Sequence, residues 1–268
     1  MILRLLETVD YDTNTKRSFG NFPLHLGSWK SDNPEVIKRL VERGADVNAK
    51  NRWLATPLHF AAAVGNISAC SGLLQSKDLD PNITTAAGLT ALHYATARER
   101  HKHVLSLLLL KGGQDVNYTD VNERGTALHI AVGHLNTEIL EVLLECPEVN
   151  LNIGNHHGRT ALIIASLRQR VDMIELLSSR VDLDFNALDL YGRSALSYAA
   201  SQGFHDGVQR LLLLSQRTLD INKADMNGRT VLSHAAESGH FDIVDLLCQQ
   251  PDIDKGMMVG LVQRTYGL

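Results

Sequence analysis

Four histidines recur in one setting: FPLHL from Phe22, TPLHFA from Thr56, TALHYA from Thr90 and GTALHIA from Gly125. An imidazole that titrates near neutral pH can act as acid, base or metal ligand, so His25, His59, His93 and His129 come first in any search for chemistry. The pattern does not sustain that chemistry. TALIIA from Thr160, SALSYA from Ser194 and TVLSHA from Thr230 keep the frame but place Ile163, Ser197 and Ser233 in the same slot. The adjacent pair His156–His157 lacks the two further converging ligands a metal site needs, so no metal and no cofactor are expected. Cys70, Cys146 and Cys248 are odd in number and far apart, and they form no C-x-x-C pair; reduced thiols are expected rather than disulfides. No phosphate-binding glycine loop, G-x-S-x-G elbow or H-E-x-x-H motif occurs, and no catalytic pair can be picked out among the carboxylates. The expectation is a chain that is not an enzyme.

What positions these residues is a repeat. Successive motif starts are separated by 34, 34, 36, 34, 34 and 36 residues. A second signal closes each unit: Asn48, Asn82, Asn117, Asn152, Asn186 and Asn222 precede the next motif, often with a glycine soon after. Asn and Gly both tolerate left-handed backbone, so the pair reads as a turn. Between the signals lie two short helical patterns, the first rich in alanine and the second in leucine, as in LSHAAESG followed by HFDIVDLLCQQ. The two longer units carry their extra residues around Lys111–Gln114 and Gln216–Leu219, where surface loop bulges are expected.

The period and the T-P-L-H-x-A motif resemble the ankyrin repeat, and the resemblance spans the whole chain. It implies an all-α fold, an ankyrin-repeat solenoid of stacked helix–turn–helix units with projecting finger turns. In that family, fingers and first helices line a concave face that binds partners, while the motif histidine bonds finger backbone and the motif threonine caps the first helix. Residues 1–268 are expected to form a single domain: a partial repeat over 1–17, repeats starting near 18, 52, 86, 121, 156, 190 and 226, and a tail over 256–268. Ile2, Leu3, Leu5 and Leu6 read as a second helix without its first, with Asn14 at the finger position, so the chain looks like a piece of a larger protein or an oligomerising one.

Function is then sought in the departures from the repeat. Phe19, Trp29 and Trp53 occupy variable slots toward the amino-terminal end, where they are expected to lie close together as an apolar anchor for a partner. Arg159, Arg193 and Arg229 each precede a motif start by one residue, with Arg124 near the same place, and form a ladder suited to acidic groups. The plainer reading is that glycine-arginine is a common finger sequence, each arginine being solvated or paired with Asp189 or Asp225. His156, His157, Arg168, Tyr191, Gln202 and Met226 fill neighbouring variable slots.

The leading expectation is a scaffold that binds a protein or peptide partner, acidic with apolar anchors. One alternative is a small-molecule or enzymatic site where His134, His156, His157, Tyr191 and Arg193 converge; another is a targeting segment of a larger multidomain protein. A net charge of −4 argues against a nucleic-acid partner, and no stretch approaches the roughly 20 apolar residues of a membrane span. Residence inside the cell, in cytoplasm or nucleus, is expected.

Overall fold

The structure, a computed structural model, describes residues 12–111, 113–123, 125–215 and 218–254. The amino-terminal helix expected around Ile2–Leu6, Arg124, residues 112 and 216–217 of the two longer connections, and the tail over 256–268 lie outside the described residues. The described residues contain helices and turns and no strand. They fall into two compact units divided between Val149 and Asn150.

The first unit holds four helix pairs: α1 (Pro23–Lys30) with α2 (Pro34–Glu42), α3 (Pro57–Val64) with α4 (Ile67–Leu73), α5 (Ala91–Thr96) with α6 (Lys102–Lys111), and α7 (Ala127–Gly133) with α8 (Thr137–Leu144). First helices pack on first helices, α1 on α3, α3 on α5 and α5 on α7, and second helices stack likewise. Close approach of the first helices requires small residues, and Ala61, Ala62, Ala95 and Ala131 are wholly buried between them. Leu24, Leu58, Leu92 and Leu128, the motif leucines, are buried with Ile37, Leu40, Leu73, Leu105, Leu108, Leu140 and Leu143 from the second helices. Each such side chain contributes about 1.5–3 kcal/mol of transfer free energy.

The second unit repeats the plan with α9 (Ala161–Leu167), α10 (Val171–Leu177), α11 (Ala195–Ser201), α12 (His205–Leu214), α13 (Val231–Glu237) and α14 (Phe241–Cys248). Helix α11 packs on both α9 and α13, and α12 on both α10 and α14.

Two expectations change at this level. The glycines of the finger turns do adopt left-handed backbone, as at Gly88, Gly158, Gly192 and Gly228, but the recurrent asparagines do not. Their side-chain amides staple one repeat to the next instead. Asn48 Nδ2 donates to Asp78 O at 2.6 Å, and Asn48 Oδ1 accepts from Asp80 N at 2.9 Å. Asn14, Asn82, Asn186 and Asn222 make the same pair of bonds. Asparagine suits the role because its short amide carries a donor and an acceptor on two separate atoms at one tip. The longer units also differ from expectation: Lys111 is the last residue of α6 rather than part of a bulge, and α6 and α12 each extend to 10 residues.

Candidate functional site

The motif histidines are framework. His59 Nδ1 accepts from the Thr56 N–H at 3.1 Å and lies 2.9 Å from Thr56 Oγ1, while Nε2 donates to Leu89 O of the next finger at 3.0 Å. A backbone donor on one ring nitrogen and a backbone acceptor on the other fix the neutral Nε2–H tautomer. His25 reaches Ala55 O and His93 reaches Gly125 O in the same way, and His129 caps its own helix at Thr126. Burial, the largest influence, lowers the pKa of His25 and His93 and brings that of His59 down to about 4. Neutral, doubly bonded imidazoles of this kind have no free nitrogen for catalysis or for a metal.

The fingers lie side by side, joined by backbone bonds such as Arg52 N to Phe19 O at 3.2 Å and Ala86 N to Trp53 O at 2.9 Å. Several fingers are shaped at their start by a buried Asn or Asp. Asn51 Oδ1 accepts from the N–H groups of Trp53 and Ala55, and Asp189 and Asp225 do the same in later fingers. This places Trp53 at a fingertip, followed by Leu54 with φ 59° where five other fingers have glycine (Gly20, Gly88, Gly158, Gly192 and Gly228).

Phe19, Trp29 and Trp53 come together as expected, and they remain 53%, 49% and 49% exposed. Phe19 stacks on Trp53 with centroids 5.5 Å apart, and Trp29 meets Phe60 edge-on at 6.4 Å. Between finger and first helices opens a cavity of about 270 Å³ walled by Trp29, Trp53, His59, Phe60, Val64 and Tyr94. Phe60 and Tyr94 were not among the expected site residues. Both sit four residues after a motif threonine, at the x of T-P-L-H-x-A, and the variation of that position across repeats (Leu26, Phe60, Tyr94, Ile130, Ile164, Tyr198, His234) was the signal that could have found them.

A larger cavity of about 720 Å³ lies on the opposite side of the first unit, between α2 and α4. It follows from small residues: Ser68, Ser71 and Gly72 stand where other second helices carry longer side chains. It has no aromatic wall and no converging titratable group beyond the solvated Glu35, Lys38 and Glu42, so chemistry is better sought on the finger side.

In the second unit the same x position builds a polar network instead of a pocket. Tyr198 Oη donates to Asp189 Oδ2 at 2.6 Å, and Arg159 Nη2 donates to Tyr198 Oη at 3.3 Å. The Arg193 guanidinium lies 4.6 Å from the Tyr198 ring centroid and donates to His234 Nδ1 at 3.0 Å, while His234 Nε2 donates to Asp225 Oδ2 at 3.1 Å. Arg229 completes the chain with two bonds to Asp225 Oδ2 and an ion pair to Glu237. Burial foremost, then the Arg193 charge, brings His234 down to about 4. Burial pushes the Asp225 carboxyl upward, but N–H donors from Arg229 and Asn227 and the Arg229 guanidinium outweigh it, leaving the pKa below its usual value.

The three arginines of the ladder are therefore drawn into bonds with Asp189, Tyr198, His234 and Asp225. Tyr191 and Met226 are exposed on adjacent fingertips joined by the Met226 N to Tyr191 O bond, and Arg168 and Gln202 are exposed at the ends of α9 and α11. The His156 and His157 rings lie 3.7 Å apart, and among the described residues no group of three His, Cys, Asp or Glu side chains could hold a metal. Arg193 turns to His234 rather than toward these histidines, and His134 belongs to the first unit. No helix among the described residues is long and apolar enough to cross a membrane.

The comparisons agree with this architecture. The family model described as "Ankyrin repeats (3 copies)" matches residues 24–120, 97–189 and 182–258. The nuclear factor NF-kappa-B p105 subunit of Gallus gallus is 29% identical over 171 residues, covering 62% of this chain and 17% of that protein. The B-cell lymphoma 3 protein homolog of Mus musculus is 28% identical over 179 residues, covering 66% of this chain and 39% of that protein. The crystal structure of the ankyrin repeat domain of Bcl-3 superposes with a TM-score of 0.73 at 26% identity, over 84% of this chain and 99% of that one. The chain thus spans well under half the length of the curated relatives it matches, so the likeness concerns their repeat regions. By the period of its motif, its stacked helix pairs and these matches, the chain belongs to the ankyrin-repeat family.

Proposed function

We propose that the chain is a non-enzymatic interaction scaffold that binds a protein partner on the face formed by the fingers and first helices of its first unit. One observation carries the reading: Trp29 and Trp53 at the wall of a cavity, and Phe19 stacked on Trp53, remain half exposed although nothing in the repeat requires large aromatics at those positions. Rigid aromatic side chains are enriched among residues that dominate binding energy. At about 270 Å³ the cavity falls below the roughly 300–1,000 Å³ of small-molecule sites, and suits one or two inserted side chains. Its only imidazole, His59, is held in the framework, which favours binding over catalysis. Intracellular residence is part of the same reading, in keeping with three cysteines free of disulfides, one of them Cys70, whose thiol burial pushes up to about 12.

The test is affinity capture with the wild-type chain and a Trp29→Ala/Trp53→Ala variant, with Ile67→Asp on the opposite side as control. Because both tryptophans are half exposed, the double variant stays folded, with an unchanged far-ultraviolet circular dichroism spectrum. Proteins captured by wild type and by the Ile67 variant, but lost with the tryptophan pair, are the expected result. A capture set that survives the double substitution would count against the proposal.

A further inference from the structure

Beyond being an apolar anchor site, the aromatic cavity sits in an unbalanced field of charge. The finger and first-helix segments 15–30 and 49–64 contain Lys16, Arg17, Lys30, Lys50 and Arg52 and not one carboxylate. The next such segment, 83–98, adds Arg98, again with no acid. This is a local excess on a chain whose net charge is −4, so it is not a reflection of composition. Of the corresponding segments in the second unit, 187–202 and 223–238 hold as many carboxylates as cations, and 153–168 carries Arg159 and Arg168 with no acid, Arg159 being bonded to Tyr198.

The cations also differ from the arginine ladder in being available. Lys16, Lys30, Lys50 and Arg52 are all exposed, and none is ion-paired to a described residue. Two of them flank the cavity directly. The Lys30 ammonium lies 5.0 Å from the Trp29 ring centroid, and the Arg52 guanidinium lies 5.0 Å from that of Phe19 and 5.9 Å from that of Trp53. Resting on aromatic faces, their side chains are held at the rim with their charges toward solvent.

Resting on the proposed function above, we infer that the partner segment is an extended acidic peptide. It inserts one bulky apolar side chain between Trp29, Trp53, Phe60 and Tyr94 and sets its carboxylates against Lys30, Lys50 and Arg52. Acidic groups then meet the lysines and arginine beside the aromatics rather than the arginines of the second unit, which already have partners. A quaternary or methylated ammonium group is a poor occupant despite the aromatic walls. The ring faces at the rim already carry Lys30 and Arg52, and no carboxylate lines the cavity to offset a third cation. Single-stranded nucleic acid would need open ring faces for base stacking. Here Phe19 and Trp53 stack on each other under Arg52.

The chain carries its own reporter, because Trp29 and Trp53 are its only tryptophans. Intrinsic emission of the intact chain is titrated at low salt with a tryptophan-free peptide of alternating glutamate and serine bearing one central leucine. Three controls are the same peptide with the leucine replaced by serine, a peptide with lysine in place of glutamate, and an oligothymidylate. The expected result is a saturable emission change with the acidic leucine peptide and affinity about tenfold or more lower without the leucine. The lysine peptide should not bind. Lys30→Glu/Arg52→Glu, which alters only exposed side chains, should weaken the acidic leucine peptide by about tenfold or more, and salt should erase the difference.

Equal binding of the glutamate and lysine peptides would overturn the acidic inference while leaving the aromatic anchor intact. Indifference to the leucine would overturn both. Tighter binding of oligothymidylate than of the acidic peptide, or no emission change with any peptide up to about millimolar concentration, would also overturn the inference.

Discussion

Replacing His59 by serine separates the two bonds that the motif histidine makes and predicts a pH dependence with a definite sign. Serine is the natural occupant of this slot at Ser197, where its hydroxyl still accepts from the Ser194 N–H at 3.2 Å. His59→Ser should therefore keep the cap within its own helix but lose the bond from Nε2 to Leu89 O, which retains its bond from Thr85 N at 2.9 Å. The loss of this one bond, with the acceptor still satisfied, costs about 0.5–1.5 kcal/mol at pH 7. The wild-type imidazole must stay neutral, with a folded pKa of about 4 against an unfolded value near 6.5. A lowered histidine pKa means that the unfolded chain binds the extra proton. The histidine's contribution is thus intact above pH 6.5 and is lost as pH falls from 6.5 toward 4. At pH 5 the wild type has given up about 2 kcal/mol that the serine variant does not lose. The other histidines titrate alike in both chains and cancel in the difference. Urea unfolding followed by circular dichroism at pH 7 and pH 5 should show the stability difference between the wild type and His59→Ser moving by about 2 kcal/mol in favour of the variant on acidification. A difference that stays constant, or moves in favour of the wild type at pH 5, would refute the neutral framework imidazole and reopen a charged, functional one.

Three further outcomes follow from the geometry. Leu54→Gly relieves a left-handed residue at about 1–2 kcal/mol but restores the backbone freedom of glycine, so thermal unfolding should report a net gain of up to about 1 kcal/mol. Asn186→Ala removes the staple bonds to Thr218 O and from Asp220 N, and chemical denaturation should register a loss of about 1–2 kcal/mol, with Asn186→Asp recovering only the acceptor half. Tyr198→Phe strands the buried Asp189 carboxylate without its short hydroxyl donor and should cost about 1.5–3 kcal/mol, read in the same assay.

The parts of the fold that read easily from the chain are those that recur. A motif returning at near-constant spacing fixes helix pairs, caps and buried leucines. It also converts His25, His59, His93 and His129 into structural residues, because slots that accept Ile163 or Ser233 cannot serve a common reaction. Trp29 and Trp53 were legible as partners because template counting puts one on a first helix and the other on the following finger.

What recurrence hides is which atoms use a residue. Asn48 and its equivalents read as left-handed turn formers, but their backbone is ordinary and their amides span two repeats, a contact with no trace in local sequence. The cavity walls Phe60 and Tyr94 escaped because they belong to the motif, at the one position within it that changes. The arginine ladder was visible as charge, while its hydrogen bonding depends on Tyr198 and His234 one repeat further on. The exposed cations around the tryptophans were present in the sequence throughout. They stood out only once the finger and first-helix segments were separated from the acidic second helices.

The most direct test of the central claim is photocrosslinking from a single benzoylphenylalanine, placed either at Tyr94 in the cavity wall or at Ile67 on the opposite side of the same unit. With a protein captured in the experiment above, the account predicts adducts from position 94 and none from position 67. Adducts from position 67 with silence at 94 would contradict it.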